Sequence, residues 1–218
     1  MNRLSGLAVL SGLLLAVPAA AGNPAPLSPP VGEVLQRVES RMADVQSVHA
    51  TFVQTKRSPL FDNPLLLRGE IGFVRPARFA WKVREPVAYQ LVLDQGVFRE
   101  WDGETGQVRE GKVEGNPIMG TVVEKLTGFF AGHFLTLTND FDVTVAALQP
   151  LELLCRPRPG SPAAAMGQTL RIRFREDERY VVGLEISDTQ GGVTDIRMES
   201  IELNAALPPT FWKVPPLE

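Results

Sequence analysis

The apolar positions change period along the chain. From Leu4 to Val17 they form a mostly unbroken apolar run. Val31, Val34, Leu35, Val38, Met42 and Val45 then recur at helical spacing, with Glu33, Arg37, Glu39 and Arg41 on the other face. This predicts one amphipathic helix ending near Ser47. Ser28 is placed to cap it, and Pro29 or Pro30 suits its first turn, where a missing N–H costs nothing. The period then drops to two. Val48 to Lys56 reads as a strand. Leu65, Leu67, Ile71, Phe73 and Arg75 share one parity, and Phe79, Trp81 and Val83 alternate with Arg78, Ala80, Lys82 and Arg84. Tyr89, Leu91 and Leu93 continue the pattern. Turn residues separate the runs at Asn63-Pro64, Arg75-Pro76-Ala77, Glu85-Pro86, Asp94-Gln95-Gly96 and Asp102-Gly103. The pattern is that of an antiparallel meander with one wet and one apolar face.

Asn116-Pro117 opens a second helical segment, about 118–131. Ile118, Val122, Leu126 and Phe129 line one face, and Met119, Val123 and Phe130 widen it. So broad an apolar surface predicts a helix buried on two sides. Strands resume at 141–145, 151–155, 170–174, 180–186 and 193–203, with turns at 176–178 and 188–192. The Pro/Ala/Ser/Gly stretch from Pro157 to Gly167 reads as a disordered insertion.

The first run has the form of a secretory signal peptide. Arg3 precedes it, Pro18 breaks it, and Ala19-Ala20-Ala21 provides small residues for cleavage after Ala21. At 14 residues it falls short of the roughly 17–25 needed to span a bilayer. Residues 1–21 are therefore expected to be removed, with 22–30 an extended Pro-rich arm and 31–218 a single domain. The exported chain is expected in the periplasm.

Composition narrows the function. The 22 Lys and Arg against 25 Asp and Glu give a charge of −3, which offers no basic field for nucleic acid. One Cys and two His exclude an internal disulfide and the usual Cys/His zinc cages. No metal and no cofactor are expected. Cys155 reads as a small buried hydrophobe. A hydrolase has His49 and His133 to draw on, but no G-x-S-x-G elbow, and both histidines read as structural.

About ten strands and two helices predict an α+β fold, mainly antiparallel β. Either the sheet closes on itself or it curls into an open barrel with the helices in its mouth. The second arrangement leaves an apolar cavity under a helical lid. Arg75 shares the parity of Ile71 and Phe73, and Pro76 keeps it extended. A guanidinium on that face either snorkels to solvent or donates to lid carbonyls or a ligand.

The stretch Val48-His49-Ala50-Thr51-Phe52-Val53-Gln54-Thr55 resembles the first strand of the LolA family of periplasmic lipoprotein carriers. Gly69 to Trp81, with Arg75-Pro76 and the Phe79-x-Trp81 pair, resembles the strands that follow. Pro86 and Leu91 to Gly96 fit the next hairpin. Asn116-Pro117-Ile118-Met119 resembles the start of the family's lid helix, and Pro209 to Pro216 its final strand. The chain stops at Glu218, where the carriers proper continue, and Pro59 to Leu65 is closer to related proteins with other exported lipids. Both features point to a LolA-related paralogue. The resemblance implies an incomplete β-barrel whose lid latch is Arg75. It gives Phe52, Ile71, Phe73, Phe79, Trp81, Leu91, Ile118, Met119, Val122, Leu126 and Phe129 as candidates for the acyl-cavity wall. It implies a monomeric carrier of lipoprotein acyl chains or another lipidated cargo, moving it from an inner-membrane donor complex to an outer-membrane acceptor. A lipid-sensing regulatory adaptor of a membrane partner is the alternative on the same fold.

Overall fold

The computed structural model describes residues 29–59, 62–161, 163–164 and 167–215, with the side chains of 29, 30, 117, 118, 121 and 122 outside that description. The signal-peptide segment, residues 22–28 of the arm and the Ser28 cap lie outside the described residues.

Eleven antiparallel strands form one sheet. In chain order they are β1 (Ser47–Arg57), β2 (Leu65–Val74), β3 (Arg78–Glu85), β4 (Tyr89–Asp94), β5 (Val97–Asp102), β6 (Val108–Lys112), β7 (Phe141–Leu148), β8 (Leu151–Pro157), β9 (Thr169–Phe174), β10 (Val181–Ser187) and β11 (Val193–Leu203). Their spatial order is β6-β5-β4-β3-β2-β1-β11-β10-β9-β8-β7. β1 joins the two halves by pairing with β2 and β11. β6 and β7 are the free edges, so the sheet curls without closing. Of the two arrangements that the alternation left open, this is the incomplete barrel, the one the family resemblance implies. β6 was not anticipated; its residues Val108-Arg-Glu-Gly-Lys112 carry one apolar side chain, and pairing with β5 rather than burial defines it.

The inner face is the continuous core. Val48, Ala50 and Phe52 of β1, Leu67, Ile71 and Phe73 of β2, and Phe79, Trp81 and Val83 of β3 are all buried. Leu153, Ile172, Ile186 and Ile196 continue it through the other half. Helix α1 (Pro29–Met42) lays Val34, Leu35, Val38 and Met42 on this face. Pro29 and Pro30 form its first turn, as the reading of the helix start expects, so the extended arm does not run to 30. The helix also stops at Met42, not near Ser47. Val45 keeps the helical spacing and is fully buried, but a turn at Ala43-Asp44 lets Ser47 enter β1. Arg37 and Arg41 clasp the buried Glu178 at 2.8 and 3.2 Å, fixing α1 to the β9–β10 hairpin.

The outer face of β2–β4 is not wet. Residues 205–215 cross it as a strap. Pro209–Trp212 is a 3₁₀ turn, not the final strand expected there. Phe211, Trp212 and Val214 pack on Ala80 and Val92, with Val74, Trp101 and Leu207 at the margin. Small outward residues make room for the strap: a Cβ on Gly72 would lie 2.3 Å from Phe211 Cε1. Two cations lie over its rings, Arg78 at 4.3 Å from Trp212 and Lys82 at 4.4 Å from Phe211. His49 meets Phe211 edge-on and stands 3.4 Å from Glu70.

Gly72→Ala should displace the strap and cost about 1–3 kcal/mol in urea unfolding; an unchanged midpoint would mean that the strap is not packed there. Glu70 supplies a pH dependence. Burial alone would raise its carboxyl, but hydrogen bonding and charge from Arg84, with His49 and Lys82, outweigh that and hold it below the ordinary 4.5. Its stabilisation is therefore present above that ordinary value and lost as pH falls through the depressed one. Glu70→Gln should flatten the acid limb of a melting-temperature profile relative to the parent chain.

Candidate functional site

Helix α2 (Pro117–Phe130) lies across the mouth of the curled sheet. Its start follows from sequence: Asn116 Oδ1 accepts from the Met119 N–H at 3.1 Å, and Pro117 fills the first helical position. Its end is a left-handed glycine stop. Gly132 has φ +83°, its N–H reaches Phe129 O at 3.1 Å, and the His133 N–H reaches Gly128 O at 2.8 Å. A Cβ on Gly132 would sit 2.9 Å from Met42 Cβ, so the end of α2 is drawn tight against the end of α1.

Arg75 is at that junction. Its Nε donates to Val45 O at 2.7 Å, and its Nη2 donates to Met42 O at 3.2 Å and Ala131 O at 2.6 Å. Met42 ends α1 and Ala131 caps α2. Helix C-termini leave carbonyls unpaired and carry partial negative charge, so one guanidinium satisfies two helix ends. Of the two orientations open from sequence, Arg75 therefore takes the one that donates to lid carbonyls.

Behind α2 lies a cavity of about 200 Å³. Leu126, Phe129 and Phe130 of α2, with Phe134 and Leu137 of the 3₁₀ segment Phe134–Asn139, form its helical side. Trp81, Phe141, Leu170, Leu184, Ile186, Ile196 and Met198 form the sheet side, and Ala163 closes it from the 157–167 stretch. That stretch thus contributes a buried residue rather than only an insertion. Glu124, Lys125, His133, Thr136, Asn139 and Asp140 are the polar part of the lining. Lys125 pairs with Asp140 at 3.1 Å.

The residues named from sequence divide into three groups. Trp81, Leu126 and Phe129 line the cavity. Phe52 stacks on Trp81 at 4.2 Å, Phe73 and Phe79 pack on Phe130 at 5.9 and 5.2 Å, and Ile71 and Leu91 flank Trp81 in register. These five stand one layer behind the wall. Met119 is half-buried near the start of α2, and the side chains of Ile118 and Val122 lie outside the described residues. Sequence reasoning missed Phe134, Leu137, Phe141 and the β9–β11 contribution. The alternation of Leu170, Ile172 and Phe174 was the available signal for that half. The helix itself departs from expectation: Met119, Val123 and Phe129 are only half-buried, because α2 covers the cavity on one face and meets solvent on the other.

Among the described residues, the two histidines and the cysteine stand apart from one another. His49 is on the outer face beside the strap, whereas His133 is at the cavity. Cys155 is fully buried and its thiol is pushed up to about 12 by burial, so it holds no thiolate at neutral pH. Among the described residues, no three His, Cys, Asp or Glu side chains are grouped to hold a metal.

The architecture is an incomplete antiparallel barrel with α2 over a mainly apolar cavity. The sequence profile described as "Outer membrane lipoprotein carrier protein LolA" matches residues 43–215, and the chain belongs to that family. It is 28% identical over 186 residues to the outer-membrane lipoprotein carrier protein of Legionella pneumophila (strain Corby), covering 84% of this chain and 85% of that one. It is 31% identical over 172 residues to the carrier protein of Leptothrix cholodnii, covering 78% and 76%. The solved Pseudomonas aeruginosa MucA/MucB complex superposes with a TM-score of 0.54 at 12% identity, over 85% of this chain and 61% of that one; this shows a shared fold. Family membership makes the protein a periplasmic lipoprotein carrier rather than an enzyme.

Gly132→Ala should strain the left-handed stop and push α2 off Met42, costing about 1–3 kcal/mol. Hydrogen exchange should rise across 117–130 while β1 and β11 stay protected. Equal protection of α2 in both proteins would show that the glycine does not set its position.

Proposed function

We propose that the cavity under α2 is the cargo site, holding the acyl chains of a lipoprotein or another lipidated molecule, and that Arg75 is the latch of its lid. The observation that carries this reading is the guanidinium bridging the end of β2, the end of α1 and the cap of α2 beside a mainly apolar cavity under α2. At about 200 Å³ the closed space is below the roughly 300–1,000 Å³ of ordinary ligand pockets. Loading therefore requires α2 to move outward, and the lid bond to Ala131 is the polar contact that movement breaks.

The energies are matched. A hydrogen bond from a charged donor contributes about 1.5–3 kcal/mol, and each buried methylene about 0.8 kcal/mol. Burial of about two to four methylenes offsets the lost bond, so one acyl chain can open the lid and the bond can re-form on release. The chain is exported by cleavage after Ala21, takes its cargo from an inner-membrane donor complex and gives it to an outer-membrane acceptor.

Mass spectrometry of lipids extracted from protein purified out of its native periplasm tests the cargo site: acylated molecules are expected, and their absence would sink this reading. Arg75→Leu tests the latch. Amide exchange in 117–130 should accelerate about ten- to a hundredfold, the equivalent of one charged bond, and cargo release should slow. Unchanged lid protection with unchanged retention would remove Arg75 from the role.

A further inference from the structure

A buried indole N–H ordinarily finds an acceptor, and one that does not calls for a missing partner. Trp81 is 2% exposed, and its Nε1 is sealed from water with no acceptor. Its ring borders the cavity and is held in place by Phe52 at 4.2 Å and by Ile71 and Leu91 on the neighbouring strands. Phenylalanine would fill the same wall without a stranded donor. The other unpartnered buried atoms belong elsewhere. Arg78 Nε and Trp212 Nε1 lie at the strap, and Gln90 shares their outward face of the sheet. The Tyr180 hydroxyl belongs to a ring that stacks on Phe130 and does not border the cavity. Among the described residues, Trp81 alone both borders the cavity and carries a buried side-chain polar atom without a partner.

We propose that the Trp81 N–H is the cavity's carbonyl anchor: it donates to the ester or amide oxygen of an acyl chain and so distinguishes acyl groups from bare alkyl chains. The inference rests on the cargo-site reading above and names the chemistry that reading leaves open. In the closed chain the donor is covered. Outward movement of α2, which carries Leu126, Phe129 and Phe130 over the same cavity, gives a carbonyl room to approach it. One fixed donor in an apolar wall also sets how far a chain enters, because its polar end must stop where the donor is. Arg75 and Trp81 then oppose each other: the first is satisfied when the lid is closed, the second only when cargo is bound.

The test compares ester-linked dipalmitoylglycerol with ether-linked dihexadecylglycerol, which has the same chain length and no carbonyl. Both are titrated from detergent into the delipidated full chain. The ester should bind about tenfold more tightly, as one hydrogen bond predicts, and Trp81→Phe should bind both at the level of the ether. With indole-¹⁵N labelling, one of the three Trp N–H signals should move downfield with the ester and not with the ether, and it should be the signal that Trp81→Phe lacks. Equal affinities in the parent chain, or a preference that survives Trp81→Phe, would overturn the anchor while leaving the cargo site intact. Failure of both lipids to bind the parent chain would overturn the cargo site and the anchor with it. Should Trp81→Phe not fold, the ester-specific shift in the parent chain decides alone.

Discussion

A guanidinium that leaves water needs acceptors, and Arg75 finds them where two helices end. Ala131 O caps α2, Met42 O ends α1 and also accepts from the Val45 N–H at 3.1 Å, and Val45 O lies in the turn between α1 and β1. A cation among carbonyls needs no carboxylate, so the site is specific to backbone position rather than to side-chain identity. This constraint fixes where α1 stops, where α2 stops and how closely they meet. Gly132 serves the same junction, since any larger residue would hold the helix ends apart. The mouth of the barrel is thus closed by polar groups that sit beside the apolar cavity and not inside it.

That separation decides what opening costs. Leu126 and Phe130 are buried against the core when the lid is closed. If an acyl chain takes the space, their apolar surface exchanges one hydrocarbon neighbour for another and little hydrophobic free energy changes. The Arg75 bond to Ala131 has no such replacement. A term of about 1.5–3 kcal/mol can therefore govern a lid that buries several large side chains. The aromatic contacts set the shape of the cavity, and under the proposed reading the polar contact sets its closed population.

Much of this was legible in the sequence because the β period is strict. Parity alone placed Arg75 with Ile71 and Phe73, but left open whether it snorkels to solvent or donates to carbonyls; the structure shows it donating to three. The end of α1 was not legible, because Val45 continues the helical spacing although the backbone has already turned. Its burial comes from the turn against Arg75, a contact made across 30 residues. The strap was hidden for a different reason. Gly72, Ala80 and Val92 are small or ambiguous on a face that also carries Arg78, Lys82 and Arg84, so the face reads as wet until Phe211 and Trp212 are laid on it. In the cavity, the β2–β3 contribution was read from a motif. The β9–β11 contribution depends on how far the sheet curls, which no local pattern encodes. The half-exposure of α2 is a misreading of the same kind: helical hydrophobicity reports that a surface avoids water on average, and not whether its partner is protein or ligand.

The two halves of the sheet differ in how they can move. Strands β2–β4 are packed on both faces, by the core within and the strap without. Arg75 follows the end of β2, three residues beyond Gly72, where the strap presses on the strand. On the other half the outward side chains are ion pairs, Arg171 with Glu152 and Arg173 with Asp195. Arg171 and Glu152 are partly exposed, and such pairs contribute only about 0–1 kcal/mol, whereas Asp195 is buried between Arg173 and Arg197 and ties β9 to β11. Arg75 and Trp81 thus stand on or beside the half of the sheet that is packed on both faces, and the strap backs that wall without lining the cavity.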